Sequence, residues 1–468
     1  MTEEIKSRLE QIRSGKVPKG YRQSPSGVIP RDWHDAKMSD VTEEIKETAG
    51  DKEYETLSIS AGVGFVNQAK KFGREMSGAQ YSKYTVLRHG DFSYNKGNSN
   101  LYPQGCIYRL NDREEAAVPN VFESFRFDLL NGDYYEQLFV SGYLNKQLYS
   151  KINHGVRDDG LLNLTGKDFY GCHLPVPPLP EQQKIAEILM QCDKVIELHQ
   201  CKIEEIKKLK KACLSKMFPK QGNNVPELRF PEFSEAWKQR KLGEIVSQKI
   251  SNGLMNRPGR NALLVKHINV INMYTPDKIH VDDLEYFDAT ESDLKKCNVE
   301  PGDIFVTRSS LKLEGIAEPN VLLDCGRFVF DDHLMQMKLL PDYFSPFVKV
   351  LLETAMVKEQ FMAKAKTATM TTIGQNDIAS SHSLFPKYTE QKKIASFFEV
   401  LDNLIALHQR ELEEMQKYKK ALMQLLLTGI VRERLTVVQR RIFLRWSYIN
   451  NEIIGEAVRP LRAEKISD

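Results

Sequence analysis

No two cysteines of this chain stand at Cys-x-x-Cys spacing. The seven present (Cys106, Cys172, Cys192, Cys201, Cys213, Cys297 and Cys325) are odd in number and scattered. That pattern argues against a disulfide framework or a zinc site, and for reduced thiols with structural roles. No apolar run approaches the roughly 20 residues needed to cross a bilayer. The opening Met1-Thr2-Glu3-Glu4-Ile5-Lys6 is charged and carries no apolar signal core. A cytoplasmic protein without membrane contact is expected. An excess of one charge is also missing, with 66 Lys and Arg against 63 Asp and Glu, a net charge of +3 and a pI of about 8.3. This balance is compatible with nucleic-acid binding without indicating it, because dedicated DNA-binding domains commonly exceed pI 9.

Catalytic signatures are absent as well. There is no Gly-x-x-x-x-Gly-Lys-Ser/Thr phosphate loop, no His-Glu-x-x-His zinc helix, and no Asn-Pro-Pro-aromatic motif of the kind adenine methyltransferases use. Gly62-Val63-Gly64 lacks the third glycine of a dinucleotide fingerprint and reads as a turn. The acid pairs Asp282-Asp283 and Asp331-Asp332 lack a lysine at nuclease-like spacing. No catalytic residue, no metal site and no resident cofactor is expected.

What the chain does contain is one helix written twice. Glu181-Gln182-Gln183-Lys184-Ile185-Ala186 returns as Glu390-Gln391-Lys392-Lys393-Ile394-Ala395, 209 positions later. At that offset Asp193 meets Asp402, Leu198-His199-Gln200 meets Leu407-His408-Gln409, and Lys210-Lys211-Ala212 meets Lys419-Lys420-Ala421. Sixteen of the 38 positions from Glu181 to Phe218 are identical without a gap. Such a repeat means one structural unit used twice. Apolar positions step by three and four along both copies: Ile185, Ile188, Cys192, Val195, His199, Ile206, Leu209 and Cys213 in the first. The second reads Ile394, Phe397, Leu401, Leu404, His408, Met415, Tyr418, Leu422 and Leu425. This is a heptad seam of about five heptads, roughly 57 Å long at 1.5 Å per residue. With a whole domain between the copies, antiparallel pairing is expected. His199 and His408 hold equivalent seam positions. Neither helix supplies a further ligand one turn away, so packed or hydrogen-bonded imidazoles are expected in place of a metal site. Lys202 and Glu411 offer a cross-helix pair, and Lys207, Lys208, Lys210, Lys211 and Lys216 read as a solvated face.

The duplication extends to whole halves, each running through a broken linker, a tryptophan, a mixed region, a proline and the long helix. Trp33 with Met38 matches Trp237 with Leu242. Gly90-Asp91-Phe92 resembles Gly302-Asp303-Ile304, and Asn163-Leu164-Thr165 with Asp168 recurs as Thr372-Ile373-Gly374 with Asp377. The mixed regions hold short β-type runs followed by helix, which predicts α+β domains. The expected division is an N-terminal helix (1–20), a first domain (21–175), a first helical repeat (176–219), a second domain (220–385), a second helical repeat (386–430) and an extension (431–468).

Several segments together resemble the specificity subunits of type I restriction–modification systems. They are Gly15-Lys16-Val17-Pro18-Lys19-Gly20-Tyr21, Ile29-Pro30 leading to Trp33, and Leu179-Pro180-Glu181-Gln182-Gln183-Lys184-Ile185-Ala186. Leu228-Arg229-Phe230-Pro231-Glu232-Phe233 through Trp237 and Leu242-Gly243-Glu244-Ile245 follow, and Leu426-Leu427-Thr428-Gly429 ends the match. The resemblance implies two target-recognition domains, each reading half of a split site on double-stranded DNA. The two helices would pair antiparallel as a coiled coil, set the spacer and dock two methyltransferase (modification) subunits. S-adenosylmethionine, ATP and Mg would belong to those subunits and to motor/nuclease (restriction) subunits, not to this chain.

Base readout and phosphate contact need amide, hydroxyl or cationic side chains at groove edges. That makes Lys96, Asn98, Ser99 and Arg157 the candidates in the first half, and Arg308, Ser309, Lys364 and Lys366 in the second. Two other readings remain open on sequence: a coiled-coil assembly adaptor without DNA specificity, and an autonomous methyltransferase or nuclease with unrecognised motifs.

Overall fold

The computed structural model describes residues 3–74, 78–97, 102–152, 162–255 and 263–432. Among these, one compact unit holds residues up to 196 together with those from 414 onward, and a second holds 197–413. Both mix helix and strand.

Each unit is built on the same sheet. The first contains β1 (Glu43–Glu44), β2 (Phe92–Asn95), β3 (Cys106–Arg109) and β4 (Glu123–Arg126), lying in the order β1-β4-β2-β3. The second contains β5 (Ser251–Asn252), β6 (Ile304–Thr307), β7 (Pro319–Val321) and β8 (Leu334–Met337), lying in the order β5-β8-β6-β7. Every pairing is antiparallel. The path is the same twice.

Sequence dictates how each sheet begins. Gly90 and Gly302 take φ of 92° and 94°, left-handed values that glycine adopts without a Cβ penalty. The aspartate that follows is buried in each case. Asp91 accepts from the Arg88 amide at 2.7 Å and Asp303 from the Glu300 amide at 2.8 Å. A cation from the adjoining strand region neutralises each one, with Arg126 on Asp91 at 2.9 Å and Lys338 on Asp303 at 3.0 Å.

A two-stranded ribbon then returns each chain to its long helix. His34–Lys37 pairs with His173–Val176 in the first unit, and Lys238–Lys241 with His382–Phe385 in the second. The long helices run over Leu179–Met217 and Tyr388–Leu426, 39 residues each. Their repeated opening motif has a visible task. Gln182 accepts from the Asn131 amide at 2.9 Å and donates to the Pro177 carbonyl at 2.8 Å. Gln391 does the same with Phe344 and Pro386, at 2.9 and 3.0 Å. The glutamate before it takes a forked arginine. Arg432 grips Glu181 through two bonds of 2.8 Å, and Arg229 grips Glu390 at 2.7 and 2.8 Å.

Within the second unit, contacts between the long helices run antiparallel: His199 meets His408, and further along Lys210 meets Asp402 at 2.7 Å. In the first unit the repeat-equivalent pair appears, Lys419 on Asp193 at 2.5 Å. The apolar stripe is wider than a two-position seam. Ile185, Ile188, Leu189, Cys192 and Val195 share one core with Met415, Leu422, Met423 and Leu426, and also with Trp33, Phe125 and Tyr134 of the first domain. In the second unit Ile203, Ile206, Cys213, Ile394, Phe398, Leu401 and Ile405 pack with Trp237 and Phe347. Each helix therefore faces both its partner helix and a domain, which calls for a broader apolar face than a strict seam. Phe397, Leu404 and Leu209 are only partly buried, whereas Phe398 and Ile405 are enclosed.

Two expectations for the lysines change. Lys202 pairs within its own helix, with Glu205 at 2.8 Å, in place of crossing to Glu411. Lys210 is not on a solvated face: it lies largely covered between Glu353 (2.6 Å) and Asp402 (2.7 Å). Burial alone would lower its pKa, but the two carboxylates outweigh that and hold it above the usual lysine value.

Beyond the shared sheet the halves part ways. The first unit adds a hairpin, Leu57–Ser60 with Gly64–Asn67, and a pair, Thr85–Arg88 with Glu115–Val118, around Ile59, Leu87 and Leu110. The Gly62 to Gly64 segment is that hairpin's turn. In the second unit a three-stranded sheet takes this place, with Leu264–Ile268 central between Glu285–Asp288 and Phe328–Phe330. One of its pairings is parallel.

Candidate nucleic-acid interface

In both units the chain leaving the central sheet meets the segment that enters a short capped helix. The Leu162 amide donates to the Lys96 carbonyl at 2.9 Å, and the Ile373 amide donates to the Arg308 carbonyl at 3.0 Å. The helices that follow, Gly166–Tyr170 and Gln375–Ala379, are started by the same device. Asp168 accepts from the Thr165 amide at 3.3 Å, and Asp377 from the Gly374 amide at 3.0 Å. The loop after β2 or β6 and the loop before this helix, separate in sequence, thus lie side by side.

In the second unit this junction grows into a sheet of its own. Ser309–Ser310 pairs with Thr371–Thr372, which pairs in turn with Lys366–Thr367. A threonine-rich hairpin results, and Lys366, Thr367, Ala368 and Thr369 are exposed on it. Exposed hydroxyls beside an ammonium are suitable donors to phosphate and base edges.

The individual candidates fare differently. Asn98, Ser99 and Arg157 lie outside the described residues. Lys96 is occupied by Glu123 at 2.8 Å. Ser309 is buried, its hydroxyl 2.8 Å from His333 Nδ1, and the Arg308 guanidinium turns toward the Asp332 carbonyl at 3.4 Å. Lys364 donates to the Asp377 carbonyl at 3.1 Å and to the Ser380 and Ser381 hydroxyls at 2.9 Å each. Its counterpart Lys151 donates to the Asp168 carbonyl at 3.0 Å. A lysine repeated on the same carbonyl belongs to the shared frame. Of the four candidates in the second half, Lys366 alone is exposed.

A pair of substitutions separates these roles. Lys366→Ala is expected to weaken DNA binding of the assembled complex uniformly across sequences and reduce the salt slope by about 1. Lys364→Met should leave that slope unchanged and loosen the helix Gln375–Ala379. Fluorescence anisotropy across a salt series, with hydrogen exchange on the same samples, reads both; a slope change in the methionine variant would refute the assignment.

At the helix seam His199 Nδ1 lies 3.0 Å from His408 Nδ1, both rings buried. That is a hydrogen-bond distance. Two nitrogens on one tetrahedral zinc would stand roughly 3.3 Å apart, given bonds of about 2.05 Å. One shared proton fits the pair. Burial pushes His408 below the ordinary histidine value, and the nearby Lys202 adds to the shift. Among the described residues one group of three potential metal ligands gathers, Asp331-Asp332-His333. Asp331 already accepts from the His333 amide at 2.7 Å, and the His333 ring faces Ser309.

Sequence reasoning missed Arg229 and Arg432. Their glutamates are obvious in the repeated block, but the arginines stand outside it at unequal distances after each helix.

Comparison with known proteins bears on all of this. Residues 121–208 match the type I restriction modification DNA specificity domain. The putative type I restriction enzyme MjaX specificity subunit of Methanocaldococcus jannaschii is 23% identical over 458 residues, spanning 88% of this chain and 96% of that protein. The type I restriction enzyme EcoKI specificity subunit of Escherichia coli is 24% identical over 278 residues, 56% of this chain and 58% of its own. The crystal structure of the type I restriction–modification system S subunit from M. genitalium superposes with a TM-score of 0.53 at 15% identity, covering 84% of this chain and 96% of that one. At that identity the structural likeness speaks for the fold, and the sequence matches speak for the family. Residues 121–208 thus match the type I restriction modification DNA specificity domain, and the chain as a whole is similar to type I restriction enzyme specificity subunits.

Proposed function

We propose that this chain is the DNA-reading, non-catalytic subunit of a type I restriction–modification complex. The carrying observation is one scaffold used twice under two dissimilar lobes. The sheet orders, the Gly-Asp turns, the capped helices and the glutamine staples coincide, while the strands beyond them do not. A duplicated frame with divergent surfaces suits a reader of two different half-sites. In this reading residues 21–175 and 220–385 are the two recognition domains, and 176–219 and 386–430 the helical repeats that set the spacer as an antiparallel coiled coil. Two methyltransferase subunits dock there and supply S-adenosylmethionine chemistry. Motor/nuclease subunits with ATP and Mg join them for cleavage.

Specificity then resides in what the halves do not share, and phosphate contact in limited basic patches, in keeping with the near-neutral charge. Methylome sequencing of cells expressing the chain with its partner subunits tests the proposal. The expected result is methylation at one bipartite sequence with a fixed spacer. Methylation at no defined site, or methyl transfer by the isolated chain, would overturn it.

A further inference from the structure

The segment Ser309–Gly315 is a tight loop that presents a leucine to solvent. Leu311 is 85% exposed, the second most open large apolar side chain among the described residues. A lone surface leucine would be ordinary, but this one is held out by a braced turn. The Thr307 hydroxyl donates to the Gly315 carbonyl at 3.0 Å, and the Lys312 amide donates to Ser310 Oγ at 3.2 Å. The Gly315 amide returns to the Lys312 carbonyl at 3.2 Å, and the Ile316 amide to the Leu313 carbonyl at 3.2 Å. A Cβ at Gly315 would lie 2.5 Å from Ser310 Oγ, so any side chain there would have to push the Ser310 hydroxyl aside.

More apolar surface adjoins it. The Tyr274 hydroxyl lies 3.8 Å from the same Cβ position, and its turn also exposes Ile271 (73%) and Tyr274 itself (57%). Leu313 is 40% exposed. Cations flank this surface. Lys312 follows the leucine, and Lys366 stands across the small sheet from Ser309, both pairing with Thr372. Neither ammonium has a carboxylate partner among the described residues, and Glu314 is the single acid of the loop.

An apolar patch rimmed by free cations on a DNA-reading domain matches a groove with phosphates on either side. The one apolar group that a base pair shows in the major groove is the thymine methyl. We propose that Leu311 reads a thymine methyl in the major groove, with Lys312 and Lys366 on the neighbouring phosphates. This rests on the DNA-reading function proposed above. It adds a contact made by shape and apolarity, from a residue type outside the hydrogen-bonding set usually sought.

The test uses the complete methylase–specificity complex and duplexes carrying its methylome-defined site, with each thymine replaced in turn by uracil. Uracil removes only the methyl. Wild type should lose about fourfold in affinity at one position, the worth of one buried methyl. Leu311→Ala should lose about tenfold on the thymine duplex, lose nothing further with uracil there, and keep the wild-type salt slope. Lys312→Ala should weaken all sequences alike and reduce the slope by about 1. Wild-type affinity in Leu311→Ala, undiminished uracil sensitivity in that variant, or no uracil-sensitive position at all would each overturn the proposal. A complex that selects no bipartite site would defeat the functional reading itself, and that outcome is visible in the wild type alone.

Discussion

Replacing Asp402 with alanine is expected to cost the second unit about 3–5 kcal/mol, whereas its repeat partner Asp193 should cost the first no more than about 1 kcal/mol. The two aspartates hold the same place in the duplicated helix and each takes a lysine from the other helix, so sequence predicts equal importance. Their surroundings decide otherwise. The Asp402 side chain is 3% exposed and lies between Lys210 at 2.7 Å and Lys349 at 3.2 Å. Glu353 also binds both lysines, at 2.6 and 3.2 Å. Burial pushes the Asp402 carboxyl up, against the pull of Lys349 and Lys210. Removing it leaves two largely buried ammonium groups sharing one carboxylate, a charge left without its compensating partner. The Asp193 side chain is 44% exposed, and its second partner is the neutral Gln137 amide at 3.0 Å. Water can replace what alanine removes there.

A single melting temperature would not apportion the loss in a chain of two units. Hydrogen exchange resolves them. The expected outcome is faster exchange across 197–413 in Asp402→Ala, with the first unit unchanged. Equal and small losses in the two variants would show that the buried cluster contributes little. Asp402→Asn should fall between wild type and alanine, since it keeps the volume and loses the charge.

This contrast shows what was legible in the sequence and what was not. The repeat and both sheet-starting Gly-Asp turns could be read directly, because each depends on local chemistry that the chain had to write twice, whereas Thr165 with Asp168 and Gly374 with Asp377 read only as an echo and not as helix starts. Lys210 could not. It stands in a lysine-rich run that looks solvated, and only the helix Ser345–Leu352, carrying Lys349, encloses it. The shift from Phe397 to Phe398 and from Leu404 to Ile405 has a related cause, because the heptad pattern registers one partner while the helix packs against two. At the candidate interface both loops of each half were named from composition, and their adjacency arises from strand order. Lys96 and Lys364 looked like free cations because their partners, Glu123 and the Asp377 carbonyl, are distant in sequence. Leu311 was passed over because an apolar loop residue carries no motif.

Shortening both long helices by one heptad each should move the recognised half-sites closer together without changing either half-site sequence. Under the proposed function the paired helices act as a ruler, and the repeat offers a register-preserving cut. Removing 197–203 together with the equivalent 406–412 leaves Asp193 facing Lys419 and Lys210 facing Asp402. It also deletes both members of the histidine pair. Seven residues at 1.5 Å each shorten the helices by about 10.5 Å, close to three base pairs at 3.4 Å per step. Seven residues make nearly two helical turns, so the helix phase drifts by only about 20°. Three base pairs rotate DNA by roughly 100°, given about 10.5 pairs per turn. Distance can therefore be matched while azimuth cannot, and bending or twisting a short duplex costs a few kcal/mol. The expected methylome keeps both half-sites, shows a spacer about three pairs shorter, and is modified at least tenfold less efficiently. Deleting one helix's heptad alone should abolish modification, since it breaks the register on which the ion pairs depend. An active double deletion that still methylates at the original spacing would refute the ruler role, and it would do so without touching the evidence for sequence reading, because both half-sites would remain intact.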